Sequence, residues 1–238
     1  MAVVTVGGPR GGGREELAQE VARLLGAELL DRDAMAREAQ RLAGAPREEM
    51  AQRFEQGPVG GRVARAIQAF LERSATAGSA GDPFLGPTGV EVLLSRSVQE
   101  AATPATSAKQ ELDDKHYLDV LTLVTREVAA AGNVVIMGGG AQLILRDVPH
   151  ALRAYAIAPL EVRLRRLMEA EKIDRPTAQR LAKESDESRR AWIKKYFKWD
   201  VDDLYLYDLL VNTGLLPIKS AAQILADAAR AKERLFAV

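Results

Sequence analysis

The order of residues from Val3 to Ala18 constrains this chain more than any other stretch. Val3-Val4-Thr5-Val6 is a mostly β-branched run suited to an extended strand. Gly7-Gly8-Pro9-Arg10-Gly11-Gly12-Gly13 follows, and a helical pattern opens at once with Arg14-Glu15-Glu16-Leu17-Ala18. Strand, glycine turn and helix in that order make an anion seat. Glycines let successive backbone N–H groups converge, and the helix start adds partial positive charge. The spacing Gly8-x-x-x-x-Gly13-Arg14 fits the Walker A pattern up to its cation, where Arg14 replaces lysine. Glu15 and Glu16 fill the ground where a Ser or Thr would help hold magnesium. Glycine turns also join strands to helices in α/β proteins that bind no phosphate. Here the spacing and the place after the first strand favour a phosphate loop, with Gly8, Gly11, Gly12, Gly13 and Arg14 as its binding residues.

The remaining pattern alternates. Leu17, Val21, Leu24 and Leu25 mark one helix face, and Gly26 supplies a stop. Ala27–Leu30 is a short apolar run leading to Asp31-Arg32-Asp33, and a second helical pattern runs through Met35 and Ala39. From Ala43 to about Leu112 no strand signal stands out; helical stretches at Val63–Leu71 and Val90–Ala101 flank a Gly/Pro-rich loop at Ala77–Gly89. Tyr117, Val120, Leu121, Val124 and Val128 then define a helix face. Asn133–Met137 is a continuous apolar run, as expected of a strand buried on both faces. Gly138–Gly140, a short helix to Leu145, a strand at Leu152–Ala158 and a helix after Pro159 come next. A charged helix from Asp174 to Lys198, a last strand at Tyr207–Val211 and an amphipathic helix at Lys219–Leu235 complete the pattern. Strands alternating with helices predict an α/β fold, a parallel sheet of about five strands with helices on both faces.

Composition removes several classes. Lys+Arg and Asp+Glu are both 33, so no global field draws the chain to nucleic acid or to an anionic membrane, and any anion site must be local. There is no cysteine, which excludes disulfides and thiolate metal sites and suits a reducing cytoplasm. His116 and His150 stand apart, outside any metal-ligand spacing, so no metal ligands are assigned. No apolar run approaches membrane-spanning length, and the first residues lack a signal-peptide core. A cytoplasmic protein whose partners are small molecules is the expectation; the oligomeric state is left open.

Several further motifs, in order along nearly the whole chain, resemble the nucleoside monophosphate kinases and most closely the cytidylate kinase-like family. Gly8-Pro9-Arg10-Gly11-Gly12-Gly13-Arg14 is similar to that family's phosphate loop, Gly-Pro-Ser-Gly-Ser-Gly-Lys. Leu30-Asp31-Arg32-Asp33-Ala34-Met35-Ala36-Arg37 resembles Leu-Asp-Thr-Gly-Ala-Met-Tyr-Arg. Val135-Ile136-Met137-Gly138-Gly139-Gly140-Ala141 resembles Val-Ile-Val-Gly-Arg-Gly-Ala. Ala158-Pro159-Leu160-Glu161-Val162-Arg163-Leu164-Arg165-Arg166 is similar to the segment that enters the lid. Asp186-Glu187-Ser188-Arg189 matches Asp-x-x-Arg, and Tyr207–Thr213 matches the closing Tyr-Asp-Leu-x-Ile-Asn-Thr.

The resemblance implies a P-loop kinase core at 1–43 and 116–238, a lid near 160–200 and a helical acceptor-binding insertion at 44–115. It implies phosphoryl transfer from ATP with Mg²⁺ to a nucleoside monophosphate, CMP-like in the first instance. Arg14 would grip donor phosphates, with Arg163 and Arg166, three apart on one helix face, approaching from the lid. Arg189 would complete the lid, held by Asp186. Asp31, Arg37 and Asp186 would belong to substrate binding, Arg37 on the acceptor phosphate.

Four residues at three places depart from the family pattern. Arg14 offers a planar fork in place of a compact ammonium. Glu15 and Glu16 put carboxylates beside the loop, where they would repel phosphate or approach it through Mg²⁺. Gly139 stands where an arginine would grip the acceptor. These departures define the alternative, a nucleotide-binding protein of weak or no catalytic activity with a regulatory or structural role. A dinucleotide-binding oxidoreductase is a further reading from Gly11-x-Gly13 and Asp31, but the third glycine of that fingerprint falls at Glu16. Trp192, Tyr196 and Trp199 share a helical face that either covers a base or, more in keeping with such spacing, packs into a core or interface.

Overall fold

The computed structural model describes residues 1–31, 34, 35, 38 and 108–236. The chain divides into two compact units, Met1–Asp31 with Val128–Val238, and Arg32–Glu127. In the first unit β1 (Val3–Gly7), β2 (Glu28–Leu30), β3 (Val134–Met137), β4 (Ala151–Ile157) and β5 (Leu209–Asn212) form one sheet in the order β2-β3-β1-β4-β5. Every neighbouring pair is parallel. The helices in chain order are α1 (Arg14–Leu25), α2 (Ala108–Ala131), α3 (Ala141–Ile144), α4 (Leu160–Glu171), α5 (Arg175–Phe197) and α6 (Ile218–Phe236). The expected α/β sheet is present, with its strands where the apolar runs lie.

All five residues of β1 are buried, so both faces of the central strand are covered. Val4 and Val6 point to one face and pack with Leu17, Val21, Ala221, Ala222 and Leu225 from α1 and α6. Val3 and Thr5 point to the other and are equally buried. Because each strand alternates sides, the unbroken valine-rich run reads as a strand with no solvent face. α4 and α5 pack on each other through Leu164, Leu167, Ala178 and Ala182. Asp174 caps α5, accepting from the Thr177 amide at 3.0 Å.

In the second unit Val120, Leu121 and Val124 of α2 are buried, as their helical spacing predicts. Residues 44–107 of the expected insertion, including both anticipated helical stretches and the Gly/Pro-rich loop, lie outside the described residues.

At the start of β5 the structure differs from expectation. Leu204–Leu206 form a single 3₁₀ turn, and the strand starts at Leu209 rather than Tyr207. The Tyr207 hydroxyl donates to Val201 O at 3.0 Å, which holds that residue in the turn. Next to it, Asp208 locks three elements together. Its carboxylate accepts from the Arg153 amide at 2.8 Å, from Arg153 Nη2 at 3.1 Å and from Lys232 Nζ at 2.6 Å. Burial alone would raise its pKa, but the hydrogen bonds from Arg153 and Lys232 outweigh burial and hold it below the usual 3.8. A carboxylate depressed in the fold gives stability that is present above its unfolded pKa and is lost as pH falls through the folded one. Asp208→Asn is therefore expected to cost about 1 kcal/mol at neutral pH, screening included. Urea melts at pH 7 and pH 3 check this, since the gap between parent and variant should narrow at the lower pH.

Candidate active site

β1 is the middle strand, flanked by β3 and β4, so the loop after it lies at the carboxyl edge of the sheet centre. Ligands of parallel α/β sheets bind at that edge. Gly11 and Gly13 hold φ of 73° and 79°, in the left-handed region that glycine alone adopts freely. Space is also closed at both. A Cβ on Gly11 would lie 2.7 Å from the Arg163 carbonyl oxygen, and one on Gly13 would lie 2.9 Å from Arg166 Nη1. Gly11 is thus required by the α4 backbone as well as by the turn. Gly13 caps α1, whose first-turn amides have no acceptor within the helix.

Four arginines surround this loop or share its rim. Arg14, 5% exposed, donates from Nη1 to Gly8 O at 3.2 Å and from Nε to Glu15 Oε1 at 2.7 Å. Glu15 therefore answers the loop's own cation, while Glu16 faces solvent. Arg163 donates from Nε to Arg10 O at 2.8 Å and forks onto both oxygens of Asp186 at 2.8 and 2.9 Å. Arg166 donates to Gly11 O at 3.3 Å, Thr213 Oγ1 at 2.9 Å and Thr213 O at 2.9 Å. Arg189, 5% exposed, donates from Nη1 to the Tyr155 hydroxyl, and its guanidinium carbon stands 5.5 Å from the centre of that ring. Tyr155 is the β4 residue in register with Gly7, which places Arg189 over the same edge of the sheet.

One expectation about the lid is corrected. Asp186 does not hold Arg189, although the two lie three apart on α5. Both carboxylate oxygens go to Arg163, because a planar fork on a carboxylate outcompetes a single bond within the helix. Both oxygens of Asp186 are thereby engaged by Arg163. Arg163 and Arg166, for their part, donate to the loop backbone, Asp186 and Thr213. Asp31 follows β2 and is half-buried, with partners of its own. Arg37 lies outside the described residues.

Sequence reasoning did not assign roles to Tyr155, Gln142, Thr213 or Arg10. Tyr155 stacks on Tyr207 at 4.5 Å between ring centres. Burial pushes the Tyr155 phenol pKa up, with the Arg189 charge opposing, and burial raises that of Tyr207 as well. Both rings stay neutral at pH 7 and can donate. Gln142, buried just after the Gly138–Gly140 turn, lies beside the Tyr207 hydroxyl and opposes the rise of its pKa. Arg10 pairs with Glu171 at 2.7 Å. A polar residue within a buried strand or just after a glycine turn was the available signal for Tyr155 and Gln142. Trp192 packs on Tyr196 and Phe197, and the Trp192 and Phe197 rings close over Gly140, so Trp192 belongs to the interior, while Tyr196 is half-buried and Trp199, also half-buried, lies beyond the end of α5.

The electrostatics favour an anion. Arg14 and Arg163 have carboxylate partners, but Arg166 and Arg189 have none among the described residues. The Nε of Arg189 is buried without any hydrogen-bond partner. A buried, unneutralised guanidinium is costly unless a counter-charge arrives. Magnesium fits differently. No group of three His, Asp or Glu among the described residues forms a metal site, and the carboxylate nearest the loop is bonded to Arg14. Among the described residues, then, a divalent ion here would need the oxygens of a bound polyphosphate and water for most of its ligands.

Comparison with known proteins now decides the family. A model of the cytidylate kinase-like family matches residues 3–215. The chain belongs to the cytidylate kinase-like family. The cytidylate kinase of Methanocaldococcus jannaschii is 33% identical over 104 residues, which are 43% of this chain and 58% of that one. In that match the chain thus spans little more than half of its relative's length. The cytidylate kinase of Pyrobaculum calidifontis is 27% identical over 164 residues, 62% of this chain and 88% of that one. An uncharacterised protein from Eubacterium ventriosum shares the fold, with a TM-score of 0.60 at 16% identity over 97% of this chain and 98% of its own. Family membership displaces the dinucleotide reading. Among the described residues no helix is long and apolar enough to cross a membrane.

Proposed function

We propose that this member of the family transfers the terminal phosphoryl group of ATP, carried as its Mg²⁺ complex, to a nucleoside monophosphate, with a CMP-like pyrimidine acceptor first in line. The observation that carries the reading is the pairing of a glycine loop at the sheet edge with arginines that lack carboxylate partners, in a chain of zero net charge. A localised cationic seat in a neutral protein calls for a polyanion.

Phosphoryl transfer asks the protein for alignment and positive charge rather than covalent help. An oxygen of the acceptor phosphate bonds to the γ-phosphorus as its bond to the β–γ bridging oxygen breaks. The electron pair of that bond leaves with the diphosphate. Loop amides and Arg14 would hold the donor phosphates, where Arg14 exchanges Glu15 for phosphate oxygens. Arg189 would meet charge on the transferred group or the acceptor, with the neutral Tyr155 hydroxyl fixing its plane. Arg37 and Asp31 are assigned to the acceptor side, and the 44–115 segment to acceptor choice. The alternative, nucleotide binding without turnover, draws on Arg14 and Glu15 alone, and the relatives lend it no support.

The test is ADP release over a panel of nucleoside monophosphates, with and without Mg²⁺. Turnover on CMP or another pyrimidine monophosphate, dependent on Mg²⁺, is the expected result. Triphosphate binding with no turnover on any acceptor would overturn it in favour of the alternative.

A further inference from the structure

The phosphate loop is oriented from behind. Arg163 Nε holds Arg10 O at 2.8 Å, Arg166 Nη1 holds Gly11 O at 3.3 Å, and Thr213 Oγ1 holds Gly12 O at 2.7 Å. Three consecutive carbonyls are thereby drawn outward, two by α4 and one by the residue after β5. A trans peptide sets its N–H opposite its C=O, so the amides of Gly11, Gly12 and Gly13 are turned the other way. The Gly12 amide is used within the loop, on Pro9 O at 2.9 Å. Among the described residues, those of Gly11 and Gly13 donate to no backbone carbonyl outside the regular elements, which leaves them for a ligand.

From this we infer that Arg163, Arg166 and Thr213 are positioning residues, which pre-set the loop amides for polyphosphate by holding the loop carbonyls away from it. The inference rests on the proposed phosphate seat and assigns these side chains work other than touching phosphate. Without the three donors, the carbonyl oxygens are free to swing inward, where their partial negative charge opposes the ligand. Holding donors ready before the ligand arrives is what makes such a site strong. Thr213 joins the set twice, since its hydroxyl accepts from Arg166 as it donates to Gly12. Arg163 extends it to α5, because the same guanidinium that holds Arg10 O is forked onto Asp186. The setting of the loop is thus tied to the packing of α4 on α5.

Thr213 gives the cleanest test because it is uncharged, so its loss removes no Coulomb attraction. Inorganic tripolyphosphate and MgATP are titrated onto parent, Thr213→Val and Thr213→Ser, with the Gly11 and Gly13 amide resonances also recorded before any ligand is added. Thr213→Val is expected to bind both ligands about tenfold more weakly, the size of one lost hydrogen bond. Its Gly13 amide should shift in the free protein, and Thr213→Ser should restore binding to within about twofold. Arg166→Lys is the second variant, and covers the case in which Thr213→Val does not fold. It keeps the charge but replaces the two-nitrogen fork that reaches Gly11 and Thr213 with a single, shorter point donor, and should lose about three- to tenfold. Parent-like binding and an unmoved Gly13 amide in either folded variant would overturn the inference while leaving the phosphate seat standing. Absence of binding by the parent chain would sink the proposed function, and this inference with it.

Discussion

Arg14→Ala is expected to lower turnover on any monophosphate acceptor by about 10²–10³, as removal of a preorganised cation from a charge-transfer site does. Arg14 is the only residue of the loop whose side chain is at once buried, cationic and bonded to the loop's own backbone. Its removal acts twice. A guanidinium is lost from the donor phosphates, and Glu15 loses the partner that neutralises it at 2.7 Å. The freed carboxylate then stands beside the phosphates with its full charge. The double variant Arg14→Ala/Glu15→Gln should therefore recover part of the triphosphate affinity that Arg14→Ala alone loses. Arg14→Lys restores a cation and should bind within about tenfold of the parent, short of the second bond of a fork. Steady-state kinetics and calorimetry on the four proteins check this. Turnover by Arg14→Ala within threefold of the parent would remove Arg14 from the chemistry.

Gly11→Ala is the second large effect, and it falls on stability and binding together. The residue sits at φ 73°, where a side chain costs about 1–2 kcal/mol. The new Cβ would also lie 2.7 Å from the Arg163 carbonyl oxygen, which belongs to the backbone of α4 and cannot rotate away. Either the loop or the helix must shift, and the Arg163 bond to Arg10 O shifts with it. The expected loss is about 2–4 kcal/mol of stability, with tripolyphosphate affinity down at least about tenfold. Gly26→Ala is the matched control. It has φ 59° but nothing within 4 Å of the added atom, so it should cost only about 1 kcal/mol and leave binding unchanged. Chemical denaturation and tripolyphosphate titration of both variants separate the two effects. Equal behaviour of Gly11→Ala and Gly26→Ala would show that α4 exerts no hold on the loop.

Much of the core was legible because its causes are local. Val3–Val6, the glycine run and the apolar face of Leu17 and Val21 each declare their element within a few residues, and α1 runs from Arg14 to Leu25 as the pattern and Gly26 dictate. β5 was legible in place but not in extent, because the turn at Leu204–Leu206 depends on a hydroxyl reaching back to Val201. The site was read in its residue types more than in its pairings. Asp186 has a candidate partner three residues along its own helix and another on α4, and only the packing of Leu164 and Leu167 on Ala178 and Ala182 decides between them. Thr213 reads as the ordinary end of a strand until the loop and β5 are brought together across the sheet. Arg37 and the acceptor segment rest on resemblance alone.

The central claim is that the amides after β1 form a seat for polyphosphate with Arg14 inside it. Titrating MgATP and inorganic tripolyphosphate onto nitrogen-15-labelled protein, while following each backbone amide, tests it most directly. The account predicts saturable shifts centred on Gly11, Gly13, Arg14 and the first turn of α1, with both ligands moving the same amides. Shifts confined to other parts of the chain, or none at millimolar ligand, would contradict it.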